Sequence, residues 1–133
     1  MPKPSLDQLL AALRHAWTAE TGFAGTEWST DNPARAQCVV SSLVVQDYLG
    51  GELIRFAVSG DGINEMHYCN ELPGGTLLDT TRPQYQGAQV TFTPKPVELK
   101  GHATIRDKRL ADDETRERYE LLKSRVDAYL TRL

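Results

Sequence analysis

The stretch Cys38-Val39-Val40-Ser41-Ser42-Leu43-Val44-Val45-Gln46-Asp47-Tyr48-Leu49 is apolar around most of a helical circumference and stops at Gly50-Gly51. A segment with no face to give to water must be surrounded by the rest of its fold. Its β-branched content would also suit a strand. Ser41, Ser42, Gln46 and Asp47 break any alternation, however, and the length is that of a helix. The segment therefore predicts a buried central helix. Ahead of it, Asn32 is an N-cap or turn residue and Pro33 is preset for a first helical position.

The remaining elements are those that can wrap such a helix. Ser5 with Gln8 forms a capping box, opening a helix whose stripe is Leu6, Leu9, Leu10, Leu13 and Trp17 and which ends near Thr21-Gly22. Three strand-like runs follow the central helix, Glu52 to Val58, Glu65 to Leu72 and Thr76 to Thr80. They are separated by Ser59-Gly60-Asp61-Gly62 and Pro73-Gly74-Gly75. Thr81 with Gln84 reads as a small capping box and one helical turn. From Gly87 to Gly101 the pattern is weak, with Val90-Thr91-Phe92 as a short strand. Asp112 to Leu133 is an amphipathic helix with a seam of Tyr119, Leu122, Val126, Tyr129 and Leu133. The sum is one α+β domain over residues 1–133, a central apolar helix on a small antiparallel sheet with flanking N- and C-terminal helices. The three-four spacing of the last seam also suits pairing with a second copy, so monomer and homodimer both stay open.

Composition narrows the function classes. The chain has 133 residues and a net charge of −3, which gives no overall basic field to draw it to nucleic acid. Lys95, Lys100, Arg106, Lys108 and Arg109 cluster, but Glu98 and Asp107 lie among them, and a solvated loop is the better reading. No apolar run reaches membrane length, and Met1-Pro2-Lys3-Pro4 leads into a patterned helix with no signal-like apolar stretch. A cytoplasmic chain with no membrane partner is expected, with Cys38 and Cys69 as thiols. No CxxC or HxxxH spacing is present, and His67-Tyr68-Cys69 supplies two ligands at most, so no metal and no cofactor are expected.

Chemistry concentrates on Cys38. It lies near the start of the buried helix, where backbone N–H groups and the helix dipole favour a thiolate. His67 and Asp79 fall on consecutive strands, and parity tests whether they meet. If Pro73-Gly74-Gly75 is a three-residue loop, Leu72 faces Thr76 and Cys69 opposes Asp79. His67 then lies one diagonal step away on the same face. A two-residue loop would put the pair on opposite faces. In a triad of this kind Cys38 is the nucleophile, His67 the proton carrier and Asp79 the group that orients the imidazole. The Cys38 backbone N–H with Asn32 or Gln37 would hold the oxyanion. Each residue also has a plain structural role open to it: a buried cysteine, a half-buried strand histidine, a turn aspartate, a helix cap and a surface amide.

The segments Asn32 to Gly51, His67 to Gly75 and Leu78 to Arg82 together resemble the YunG-like family of small bacterial proteins. The order cysteine, histidine, acid in that family is similar to the papain-like and transglutaminase-like superfamily. There a cysteine heads a helix packed on an antiparallel sheet bearing the other two residues. The resemblance implies a cysteine-dependent hydrolase or acyl-transferase acting on a peptide or protein amide, an isopeptide or a glutamine side chain. Its implied catalytic residues are Cys38, His67 and Asp79, with Asn32 and Gln37 as amide donors. Cys69 stands where relatives are expected to carry an aromatic residue. A non-catalytic binding module on the same fold is the competing expectation.

Overall fold

The computed structural model describes residues 3–133; Met1 and Pro2, the start of the expected domain, lie outside it. Helix α1 (Leu6–Ala16) opens on the capping box seen in the sequence: Ser5 Oγ accepts from the Gln8 N–H while Gln8 Oε1 accepts from the Ser5 N–H. It ends earlier than its apolar stripe suggests. Trp17 turns extended, with ψ of 130°, and donates its indole N–H to Ser41 Oγ at 2.8 Å.

Helix α2 (Cys38–Leu49) starts at Cys38 itself. Asn32-Pro33 does not begin it: Asn32 pairs with Ser29 in an isolated bridge, and Ala36 at φ +66° interrupts any helical path from Pro33. Val40, Leu43, Val44 and Val45 are fully buried. Leu9 and Leu13 of α1 pack on one side of the helix, while Leu53 and Tyr68 of the sheet meet Leu43 on another. The two serines are buried too. The Ser41 hydroxyl answers Trp17, and the Ser42 carbonyl accepts from Asn70 Nδ2 at 2.9 Å.

Four antiparallel strands, β1 (Glu52–Gly60), β2 (Ile63–Glu71), β3 (Leu77–Leu78) and β4 (Thr91–Pro94), form a sheet in the order β3-β2-β1-β4. The first hairpin closes through Asp61-Gly62, both at positive φ, the two-residue turn whose twist matches the strands. Both strands therefore run further into the expected turn than the sequence suggests. Gly51 has φ +81°, and a Cβ on it would lie 2.1 Å from the Glu71 carbonyl oxygen, so β1 begins pressed against the end of β2. Between β2 and β3, Leu72 N–H donates to Thr76 O at 2.8 Å, and Asn70 pairs Leu78. That is the register of the three-residue loop. β3 pairs only with Asn70 and Glu71, shorter than Thr76 to Thr80, so β2 from Ile63 to Cys69 has a strand on one side only.

Helix α3 (Ile105–Leu110) occupies the stretch that reads as a solvated loop; none of its residues is buried. Arg106 is nonetheless turned inward, paired with Asp47 at 2.8 Å and bonded to the Leu43 carbonyl at 3.2 Å. Helix α4 (Asp113–Thr131), capped by Asp112, buries Leu122, Val126 and Leu130 in the same core as α1 and α2. Its seam is thus filled by its own domain, with Tyr119 and Tyr129 at the margin and Leu133 exposed. Among the described residues no helix is long and apolar enough to cross a membrane. Because Leu43 is enclosed, Leu43→Ala should cost roughly 2–5 kcal/mol. Urea denaturation reads this directly, and a midpoint that barely moves would place Leu43 outside the core.

Candidate active site

Cys38 is the first residue of α2, and the N-cap Gln37 makes no side-chain bond to the first turn. The backbone N–H groups of that turn therefore have no capping acceptor. Gln37 is instead fully buried, donating to the Thr18 carbonyl at 2.9 Å and accepting from Thr21 Oγ1 at 2.7 Å. It anchors the loop after α1.

His67 lies on β2 and is fully buried, with Nε2 2.7 Å from Asp79 Oδ2. Asp79 follows β3 directly, and the observed register, continued by one residue, sets it opposite Cys69. His67 is two residues from Cys69, hence on the same face. This face is roofed by Tyr85 and Phe92, whose ring centroids lie 5.4 and 5.8 Å from the imidazole. The opposite-parity residues Tyr68 and Asn70 face α2. α2 meets His67 only through its start. The segment entering α2 passes the open edge of β2, where Arg35 holds Glu65 through two bonds of 2.8 Å, and Cys38 lies near enough for its thiol to bear on the His67 imidazole.

The imidazole is set by opposing effects. Burial is the largest and favours the neutral form. The hydrogen bond to Asp79, then the hydrogen bond and charge of Cys38, outweigh it and raise the pKa from 6.5 to about 9. His67 is thus a buried cation at neutral pH, between an acid and a thiol. Cys69 is held as a thiol: burial first, then the charges of Asp79 and Cys38, push it up to about 12.

The sequence reading placed two amides beside the thiol, and the structure does not put them to that use. Gln37 is spent as described. Asn32 donates Nδ2 to the Gln84 carbonyl at 2.8 Å and lines a different depression, with Trp17, Leu78 and Asp79. The amide that does reach the site is Gln84, in the 3₁₀ turn Arg82–Tyr85. The expected capping box at Thr81 is not made. Gln84 Nε2 lies 3.4 Å from His67 Nδ1 and 3.3 Å from Thr81 Oγ1, while Oε1 accepts from Arg35 at 3.1 Å. The Thr81–Gln84 spacing signals the helical turn but not the direction of this side chain.

Cys38, Arg35, Tyr68 and Gln84 line a cleft of about 450 Å³. A larger groove of about 910 Å³ over residues 82–91 does not contain Cys38, and His67 lines neither of the two. Among the described residues no group of three or more His, Cys, Asp or Glu side chains is arranged to hold a metal ion.

A family model described as "YunG protein" matches residues 5–131. The uncharacterized protein YunG of Bacillus subtilis (strain 168) is 28% identical over 74 residues, which cover 56% of this chain and 57% of that protein. No solved structure matches. None of these matches carries a papain-like or transglutaminase-like description.

The charged histidine has a consequence for stability. A folded imidazole that keeps its proton to about pH 9, against 6.5 when unfolded, makes the native state bind more protons across that window. The contribution is complete below pH 6.5 and is lost as pH rises through 9. Urea midpoints measured across that window should therefore fall with pH, and His67→Ala should flatten the fall. A wild-type profile already flat there would contradict a protonated His67.

Proposed function

This chain belongs to the YunG family, and we propose that it is a cysteine-dependent hydrolase or acyl-transferase acting on an amide, isopeptide or glutamine side chain. The observation that carries this reading is a fully buried His67 whose Nε2 is held by Asp79 at 2.7 Å and whose imidazole is influenced by Cys38, the first residue of α2. A buried imidazolium between a thiol and a carboxylate is the working form of a thiolate–imidazolium pair.

In the proposed step Cys38 Sγ attacks the substrate carbonyl carbon and forms a C–S bond, placing negative charge on the carbonyl oxygen. The C–N bond then breaks, and the leaving amine takes the Nδ1 proton of His67. Water, or an acceptor amine in the transfer reaction, returns a proton to His67 as it attacks the thioester and releases the sulfur. Asp79 holds Nε2–H throughout and keeps Nδ1 aimed at the cysteine. Donors for the oxyanion are the Cys38 backbone N–H and the Gln84 amide. When Nδ1 carries a proton it offers Gln84 no acceptor, and the amide keeps only its long contact to Thr81. Such preorganised donors are worth about 3 kcal/mol each in known oxyanion sites.

A papain-like core is the fold this reading takes, with cysteine at the head of a buried helix and histidine and acid on adjacent antiparallel strands. Iodoacetamide labelling followed by peptide mass spectrometry tests the activation. At mildly acidic pH Cys38 should alkylate at least tenfold faster than N-acetylcysteine, whose thiol of ordinary pKa near ~8.5 is almost wholly protonated. His67→Ala should remove most of that advantage and Asp79→Ala a smaller part, with Cys69 silent in the folded protein. A Cys38 no faster than the free thiol, or unaffected by His67→Ala, would leave a binding module and end the enzymatic reading.

A further inference from the structure

The cleft that exposes Cys38 is lined by four arginines, Arg35, Arg55, Arg109 and Arg118, against one carboxylate, Glu65, which is already bonded to Arg35. Arg55 is engaged with the carbonyl oxygens of Lys95 and Pro96, so its charge is not neutralised. Arg109 and Arg118 form no ion pair among the described residues. The Nε atom of each is buried without a hydrogen-bond partner. Arg118 donates Nη2 to Thr115 Oγ1 at 3.2 Å and stands 5.5 Å from the Phe23 ring centroid. Phe23 and Met66, both exposed, complete the apolar part of the same wall.

A chain of net charge −3 that gathers four guanidinium groups around its thiol has placed a positive field where substrate enters. A guanidinium is the side chain whose planar fork fits a carboxylate, and Arg109 and Arg118 line this cleft without an ion-pair partner among the described residues. Resting on the thiol chemistry proposed above, we propose that the substrate is an anionic amide: an acyl compound whose carboxylate is held by Arg109 and Arg118 while its neighbouring carbonyl meets Cys38. The Phe23–Met66 wall takes the apolar remainder. Arg118 lies within charge range of Cys38 and also of Asp112 and Glu114, and Asp112 lies within range of Arg109 as well. Arg35 is not part of the anion site; its donors are committed to Glu65 and Gln84.

Two small alkylating agents of similar size and opposite character test this. Iodoacetate carries the carboxylate and iodoacetamide does not. Relative to their rate ratio on N-acetylcysteine, Cys38 should favour iodoacetate by roughly tenfold, and added salt should shrink the preference. R118Q and R109Q should each lower that ratio, with R118K restoring most of it. A binding measurement keeps the inference separate from the thiol chemistry. In a thermal-shift titration, succinate should raise the melting temperature of the wild-type protein, whereas succinamide and inorganic phosphate should not, and R109Q/R118Q should abolish the shift. Succinate binding with an inert Cys38 would remove the hydrolase and leave the carboxylate site standing. An activated Cys38 with no iodoacetate preference, or an equal response to succinamide or to phosphate, would overturn the carboxylate site and leave the hydrolase.

Discussion

The burial of α2 on every side from Val40 to Val45 constrains everything else. Val40, Leu43, Val44 and Val45 are shielded by α1 and α4 and by the sheet residues Leu53 and Tyr68. Two directional bonds, Trp17 to Ser41 and Asn70 to the Ser42 carbonyl, then fix its rotation and its depth against β2. A buried polar group must be paired, so these bonds specify one docking among the many that an all-round apolar helix would accept. With α2 fixed, its first residue packs beside Tyr68 of β2, the strand that the two-residue β3 leaves largely uncovered on one side.

Holding a cation inside a protein is costly unless its partners are in place. For His67 they are the Asp79 carboxylate, 2.7 Å from Nε2, and Cys38 at the start of α2. A second layer keeps this geometry rigid. Arg35 bridges Glu65 and Gln84, and Tyr85, which meets the imidazole edge-on, donates its hydroxyl to Glu65 at 3.0 Å. The Arg35–Glu65 pair pulls each partner further toward its charged form, chiefly through the hydrogen bond between them. The 3₁₀ turn that carries Gln84 and Tyr85 is in turn tied to the loop before α2 by Asn32. The loop before α2, His67 and its aromatic roof are therefore one connected unit.

What could be read in the sequence was whatever depends on local periodicity and parity. The Ser5 box, the apolar α2 and the α4 seam are signals carried within one element. At Pro73-Gly74-Gly75 the sequence left two loop lengths open, and the three-residue register that forms puts His67 and Asp79 on one face by strand alternation. The amides were misjudged for the opposite reason. Gln37 is claimed by Thr18 and Thr21, and Asn32 by a carbonyl 52 residues away, partners that no local spacing reveals. Gln84 and the cleft arginines were hidden likewise: Arg109 sits on a short helix with no buried face, and Arg118 reads as the polar side of α4. α3 itself leaves no periodic apolar signal.

The central claim is that His67 is an imidazolium at neutral pH because Asp79 and Cys38 flank it. Nitrogen-detected NMR of the histidine rings reads this without reference to any substrate. For His67 both ring nitrogens should carry protons at pH 7, the signals changing only as pH approaches about 9. In Cys38→Ala the transition should move to lower pH, since one of the two stabilising partners is gone. A His67 ring found neutral at pH 7, with a single protonated nitrogen and no response to Cys38→Ala, would contradict the account.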